Sequence, residues 1–184
     1  MAFCGLVNPM IARCRDRPEG PEYTDGSRFG KAVRVEITPN YVDTGEYKEV
    51  NDLDQKKEFA YADITLGINR IPEGGESIVL GYTQDGQEIQ SSDLDESEYI
   101  GLGLLKRESI GGKKFFMALW LHKVKLWEDS DSQETKGESI NYVTPALSGR
   151  AEPDSTGRWR SKRRFETQSE AISWLESKAG MEGG

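Results

Sequence analysis

The first residue to test for chemistry is His122, the only histidine of the chain. Ser–His and Cys–His nucleophile pairs use an imidazole as the base, and many metal sites use several imidazoles as ligands. One histidine, in the middle of a long apolar stretch, argues against both arrangements. The sequence therefore predicts a packed or interface residue at this position and not a catalytic base.

Two glycine motifs superficially resemble nucleotide-binding loops. Residues 111–114, Gly-Gly-Lys-Lys, lack the upstream glycine of a phosphate loop and the Ser or Thr that follows its lysine. Gly101 and Gly103 lack the third glycine of a dinucleotide fingerprint. The first motif instead predicts a hairpin turn, and the second a strand that packs closely against another backbone. We expect no bound cofactor.

Acidic residues at 93–95 and 129–131 would suit calcium by residue type. Neither segment has the glycine at loop position 6 or the glutamate at position 12 that a calcium loop requires. Both therefore predict solvated acidic loops, and we expect no metal. A carboxylate pair for glycoside hydrolysis stays open on composition. Because nothing selects one pair, we do not expect an enzyme.

Composition favours an assembling protein that avoids nucleic acid. The length of 184 residues suits one domain, 1–184. Only 35% of the residues are hydrophobic, so we expect long loops or arms and support from partner subunits. The net charge of −8 is opposite to that of a sequence-independent nucleic-acid binder, which gains affinity by neutralising phosphates.

Cysteine usage and hydropathy predict a protein made and kept in a reducing cytoplasm. Cys4 and Cys14 have no paired metal or redox spacing. The chain lacks an apolar run of the roughly 18 residues that a membrane span needs, and it does not begin with a basic segment followed by an apolar one. We expect no membrane partner.

Alternating apolar residues predict a mainly β protein with a flanking helix. Strands are predicted at 31–38, 59–68, 99–107, 113–127 and 159–165, with Pro39 ending the first. Strand 113–127 is apolar on both faces, which predicts a central strand covered on both sides. Because of Pro9, residues 1–20 are predicted to form an arm or an edge strand. A long polar loop is predicted at 40–58. Helices are predicted at 72–80 and 168–180, and Thr167 and Glu170 cap the second.

The sharpest electrostatic feature is a row of four cations near the end of the chain. Alternation places Arg158, Arg160, Lys162 and Arg164 on one face of strand 159–165. Phosphate contact is one interpretation. The second is pairing with acidic loops of the same chain or of a neighbour, and the negative net charge favours it.

Several short motifs, in order along nearly the whole chain, resemble the major tail proteins, or tail tube proteins, of long-tailed siphovirus-type bacteriophages. The matching segments are Gly5-Leu6 with Pro9, residues 30–33 (Gly-Lys-Ala-Val), 39–41 (Pro-Asn-Tyr), 64–67 (Ile-Thr-Leu-Gly), 99–103 (Tyr-Ile-Gly-Leu-Gly), 120–125 (Trp-Leu-His-Lys-Val-Lys), 135–140 (Thr-Lys-Gly-Glu-Ser-Ile) with Thr144-Pro145, and 170–175 (Glu-Ala-Ile-Ser-Trp-Leu). The chain departs from the family pattern at Gly74-Gly75 and at His122.

This resemblance implies a β-sandwich or barrel-like tail tube fold with a long loop and a terminal arm. It implies rings, usually hexameric, that stack into the tube through which DNA leaves the capsid. Expected partners are the protein itself, the tape measure, tail terminator and distal tail proteins, and DNA only in transit. The expected location is the virion tail, after synthesis in the cytoplasm of the bacterial host.

The inter-subunit contacts are predicted in polar loops and in the cationic strand. The predicted contact residues are Asp43, Glu46, Glu49, Asp52, Asp54, Asp129, Asp131, Glu134, Lys136, Arg158, Arg160, Lys162 and Arg164. Two alternatives stay open: a subunit of a secretion-type tube, and a nucleic-acid-binding module that uses residues 158–164.

Overall fold

Antiparallel strands make up most of the protein. The computed structural model describes residues 2–43, 57–130 and 146–181, without the side chains of 2–8 and 130. These residues form β1 (Ala2–Arg17), β2 (Gly20–Arg28), β3 (Ala32–Asp43), β4 (Lys57–Ile68), α1 (Gly75–Leu80), β5 (Thr83–Asp85), β6 (Glu88–Gln90), β7 (Ile100–Ile110), β8 (Lys113–Ser130), β9 (Ala146–Glu152), β10 (Arg160–Phe165) and α2 (Gln168–Lys178). The predicted class, mainly β with a flanking helix, is confirmed. Among the described helices, none is long and apolar enough to span a membrane.

One large sheet contains every strand except the β5–β6 hairpin. Its order is β2-β1-β7-β8-β9-β4-β3, and β10 pairs with β8 beside β9. The Gly111-Gly112 turn joins β7 to β8 with φ of 58° and 80°, values that glycine adopts without strain. The hairpin predicted at this motif is therefore confirmed.

Strand β8 is covered on both faces, as its doubly apolar sequence predicts. One face contributes Leu119 and Leu121 to the main core, which the sheet forms together with α1. The other face carries Ala118 and Trp120, which pack beneath α2. This helix begins at the predicted cap, where Thr167 Oγ1 accepts a hydrogen bond from Glu170 N at 3.3 Å.

A β-bulge interrupts β8 at His122. Leu121 lies opposite Leu102 and Val124 lies opposite Ile100, so three steps along β8 match two along β7. The extra residue shifts the alternation, and Val124 and Leu126 join Leu121 in the main core. Uninterrupted alternation along 113–127 predicts Val124 and Leu126 on the same face as Trp120, and this placement is wrong.

The glycines of β7 have a different role from the predicted one. A Cβ on Gly101 would lie 2.3 Å from the Trp120 ring, and one on Gly103 would lie 3.0 Å from it. The glycines therefore make room for the indole side chain and not for another backbone.

Strand β1 lies between β2 and β7 only from Met10 to Arg13, whereas its first residues, through Val7, pair with β7 alone among the described strands. The predicted edge strand is therefore confirmed for the first half of β1 and wrong for residues 10–13, and the contact of an N-terminal arm with a neighbouring subunit stays a prediction. Pro9 is tolerated because it falls in a register shift between Val7 and Met10, where the β1–β7 ladder is interrupted. The Pro9 carbonyl accepts a hydrogen bond from Phe29 N at 2.7 Å.

Strand β3 runs through the proline that was predicted to end it and stops at Asp43. It pairs with β4, and among the described strands it is the last in the sheet order, where a proline is tolerated. Residues 40–43 and 57–58, predicted as loop, are strand. Helix α1 begins at Gly75 and not at Pro72, because Gly74 is left-handed with φ of 77°; its predicted end at Leu80 is confirmed.

Candidate functional site

The predicted contact residues fall into three groups. Asp43 ends β3 and Asp129 lies near the end of β8. Arg158 precedes β10, which carries Arg160, Lys162 and Arg164. The third group lies outside the described residues: Glu46, Glu49, Asp52, Asp54, Asp131, Glu134 and Lys136.

Of the four cations predicted to share one face, Arg160, Lys162 and Arg164 do so on β10, whereas Arg158 precedes the strand and does not belong to this face. Arg160, Lys162 and Arg164 lie opposite Leu121, Leu119 and Met117 of β8. Lys106 of β7 also lies opposite Met117 and joins them. Burial lowers the pKa of Lys106, and the charges of Arg160 and Lys162 lower it further. We call Lys106, Arg160, Lys162 and Arg164 the basic face.

The cations near this face have different neighbours. The Arg164 guanidinium donates to Glu108 Oε2 from Nη2 at 3.2 Å and from Nε at 3.3 Å. This is the carboxylate partner that the cation row predicts, in the same chain. Arg160 lies over the Trp159 ring, 4.3 Å from its centroid. Arg158 donates from Nε to Thr156 Oγ1 at 3.0 Å and so supports its own turn.

His122 lies in a hydrogen-bonded chain that the sequence did not predict. Its side chain lies 2.8 Å from Asp154 Oδ2 through Nδ1 and 2.7 Å from Ser161 Oγ through Nε2. The bulge places the imidazole across from β10, and the turn between β9 and β10 brings in Asp154. A single histidine is therefore enough for a Ser–His–Asp arrangement, and the inference that ruled such arrangements out is wrong.

Asp154 is held firmly in this chain. Its Oδ1 accepts hydrogen bonds from Thr156 N at 2.9 Å, Thr156 Oγ1 at 2.5 Å and Arg158 N at 3.0 Å. Burial alone would raise the pKa of Asp154, but the hydrogen bonds from Thr156, Arg158 and His122 lower it below its ordinary value. The carboxylate is therefore ionised at neutral pH.

The imidazole is neutral at neutral pH. Burial lowers the pKa of His122 below its ordinary value, Asp154 raises it in part, and the nearby charges of Lys178 and Arg158 lower it further. With Asp154 ionised, the ring proton lies on Nδ1 and donates to the carboxylate. Nε2 is then free to accept the hydroxyl proton of Ser161.

A cavity of about 480 Å³ adjoins this chain. Its lining includes Arg17, Tyr23, His122, Arg158, Ser161 and Lys178. The Tyr23 hydroxyl donates to the His122 carbonyl at 2.8 Å and so fixes the bulge from the β2 side. Trp120 also lines the cavity, and its buried Nε1 makes no hydrogen bond to the described part of the chain.

The lowered pKa of His122 predicts that stability falls on mild acidification. Below about pH 7 the unfolded chain takes up a proton that the folded protein resists, which lowers the free energy of unfolding by at most ~1.4 kcal/mol per pH unit. The loss levels off below the folded pKa, and Asp154 adds a second loss near and below about pH 4. Urea denaturation at pH 7.5 and 5.5 measures the first effect.

His122→Gln is the matched control for this prediction, because His122 is the only histidine. The variant should lose most of the stability change between these two pH values. An equal change in the variant and the natural protein would contradict the assignment.

The comparisons with known proteins leave the family open. No protein-family model matches the chain, and no curated protein matches it. Within the described residues, no three His, Cys, Asp or Glu side chains come together as a metal-binding group.

Proposed function

We propose that this protein is the tail tube subunit of a long-tailed bacteriophage, which polymerises as stacked rings into a conduit for DNA. The ordered motifs from Gly5 to Leu175 support the family. The antiparallel sheet with a helix on one face supports a subunit whose sheet continues into its neighbours. The protein would be made in the host cytoplasm and would end in the virion tail.

The observation that carries this proposal is the exposed edge at β3. This strand pairs with β4 on one side only, among the strands that the structure describes. Val33, Tyr41 and Val42 are 61%, 57% and 50% exposed, an unusual apolar surface for a sheet edge. An exposed apolar edge promotes aggregation of a monomer, whereas it forms the joint in an assembled ring.

The outward face of the β3–β4–β9–β8 part of the sheet suits a surface past which DNA must slide. Two ion pairs lie on it, Arg150 with Asp63 at 3.6 Å and Arg34 with Glu36 at 2.9 Å, and Lys125 lies over the Tyr99 ring, 4.7 Å from its centroid. A row of uncompensated cations repeated in every ring would bind phosphates and stall DNA, whereas charges paired in this way attract DNA weakly. We therefore assign this face to the lumen of the proposed tube.

The basic face is the proposed contact for acidic loops of an adjacent subunit. Arg160→Glu combined with Lys162→Glu should weaken assembly by at least tenfold, about 1.4 kcal/mol per contact, because two attractive charges become repulsive. The difference should shrink at high salt, since exposed charges are screened beyond about 8–10 Å. Sedimentation velocity at about 50 mM and about 500 mM salt measures both effects, because the screening of exposed charges increases over this range.

Lys113→Glu combined with Lys114→Glu is the matched control. Both lysines are exposed at the β7–β8 turn, and the change in net charge is the same. If the two double variants assemble equally well, the basic face is not part of the inter-subunit contact.

A nucleic-acid-binding module is the second candidate, and the clustering of Lys106 with the β10 cations is what favours it. Such a module would bind DNA tightly as a monomer, with an affinity that falls steeply with salt. Gel-shift titration of the purified monomer separates the candidates, because a tube subunit should bind DNA weakly. A secretion-type tube subunit shares the same mechanics and would differ in its partners.

A further inference from the structure

We propose that Ser161 is a nucleophile that accepts the acyl group of small carboxylic esters bound in the cavity beside it, so that the protein hydrolyses them. This inference is independent of the tube proposal. It rests on the hydrogen-bonded chain Asp154–His122–Ser161 and on the cavity onto which the serine opens.

Ser161, His122 and Asp154 have the geometry of a nucleophile, a base and a positioning residue, in that order. Both hydrogen bonds of the imidazole, 2.8 Å and 2.7 Å, are within the range at which protons transfer. The neutral imidazole can accept the serine proton at Nε2 because its own proton is held on Nδ1 by Asp154. Asp154 cannot turn away, since three donors hold its other oxygen.

The cavity can hold a substrate, and the positive charges of its lining can stabilise a transition state. Its volume of about 480 Å³ is within the usual range for small-molecule sites. Arg158 and Lys178 line it beside Ser161 and can stabilise the oxyanion that forms on an attacked carbonyl. Arg17 is already paired with Glu22 at 2.7 Å, so it is a weaker partner for an anion.

These charges also indicate the substrate class. Two cations at the lining favour an ester whose acyl part is small and polar or anionic over a long apolar one. Glu19 and Glu22 also line the cavity and disfavour a substrate with several negative charges.

The reaction balances with water as the only co-reactant. Ser161 Oγ bonds to the carbonyl carbon while its proton moves to His122 Nε2, and the imidazolium then protonates the departing alkoxide. Water attacks the acyl-serine, gives a proton to Nε2, and that proton returns to Oγ as the carboxylic acid leaves. No electron transfer is involved.

A fluorophosphonate probe tests the nucleophile directly, because phosphorylation of Oγ with loss of fluoride follows the same first step. We expect labelling of the folded protein at Ser161, located by peptide mass spectrometry. His122→Gln should slow labelling about 10²–10⁴-fold, as expected for loss of a general base. The labelling rate of the natural protein should fall as the pH falls through the pKa of His122.

Three controls separate a nucleophile from a structural serine. Ser161→Ala should abolish labelling, Ser169→Ala on the exposed face of α2 should not change it, and urea-unfolded protein should not be labelled. p-Nitrophenyl acetate provides a second readout, with hydrolysis that depends on Ser161. Thermal melting shows whether each variant is folded. If Ser161 is labelled no faster than other serines in folded protein, the proposal is overturned. The hydrogen bonds among Asp154, His122 and Ser161 would then serve only to stabilise the β9–β10 turn.

Discussion

Replacing both Val33 and Val42 with lysine is expected to abolish ring and tube assembly while leaving the monomer folded. Both side chains lie on β3, and they are 61% and 50% exposed. Lysine on an edge strand prevents another strand from adding to it, because the buried joint would contain unpaired charges. Exposed substitutions of this kind change monomer stability by only about ±0.5 kcal/mol each.

The matched control replaces Ile89 and Leu94 with lysine. These residues are also apolar and exposed, by 44% and 84%, but they lie away from β3. Sedimentation velocity and urea denaturation of the two double variants separate assembly from folding. If both variants assemble equally well, or equally badly, β3 is not the joint.

The largest effect on stability is expected at Trp120. Its side chain is fully buried, the Tyr23 ring packs edge-on against it at 5.0 Å, and Gly101 and Gly103 leave the space that it fills. Trp120→Ala should therefore lower the free energy of unfolding by about 3–5 kcal/mol, the usual cost of truncating a large buried aromatic residue. Alanine leaves a cavity between the sheet and α2 that the two glycines cannot fill.

Trp127→Ala is the control on the same strand. Trp127 is 44% exposed, so its truncation should cost clearly less, because less apolar area is buried and no enclosed cavity is left. Guanidinium denaturation followed by far-UV circular dichroism measures both variants without relying on tryptophan fluorescence. Similar losses for the two variants would contradict the assignment of Trp120 to the centre of the α2 interface.

Local patterns in the sequence predict most of the fold. The apolar residues on both sides of β8 predict its central position, the two glycines after Ile110 predict the hairpin, and Thr167 with Glu170 predicts the start of α2. Each of these signals acts over a few residues, through alternation, turn geometry or capping. They hold because tertiary packing agrees with local preference at these places.

The features that were wrong or missed depend on register between distant segments. Pro9 indicates an edge strand, but β1 enters the interior of the sheet directly after it, and a register shift in the β1–β7 ladder accommodates the proline. The bulge at His122 changes which face Val124 occupies, and no pattern in β8 marks it. Asp154 and Ser161 are 32 and 39 residues from His122, so only the pairing of β8 with β9 and β10 brings them together.

Among the predicted contact residues that the structure describes, only Arg160, Lys162 and Arg164 of the cationic strand cluster. Their two-residue spacing is a direct consequence of strand periodicity, which explains why the shared face could be predicted. Glu108, the partner of Arg164, comes from β7, and long-range pairing of this kind has no signal in a single sequence.

Negative-stain electron microscopy of the concentrated protein is the most direct test of the central claim. A tail tube subunit should form rings, or tubes with a central channel, as the protein concentration is raised from the micromolar to the millimolar range. Sedimentation velocity on the same samples should show the matching loss of monomer. A protein that stays monomeric at every concentration and salt would contradict the proposed function.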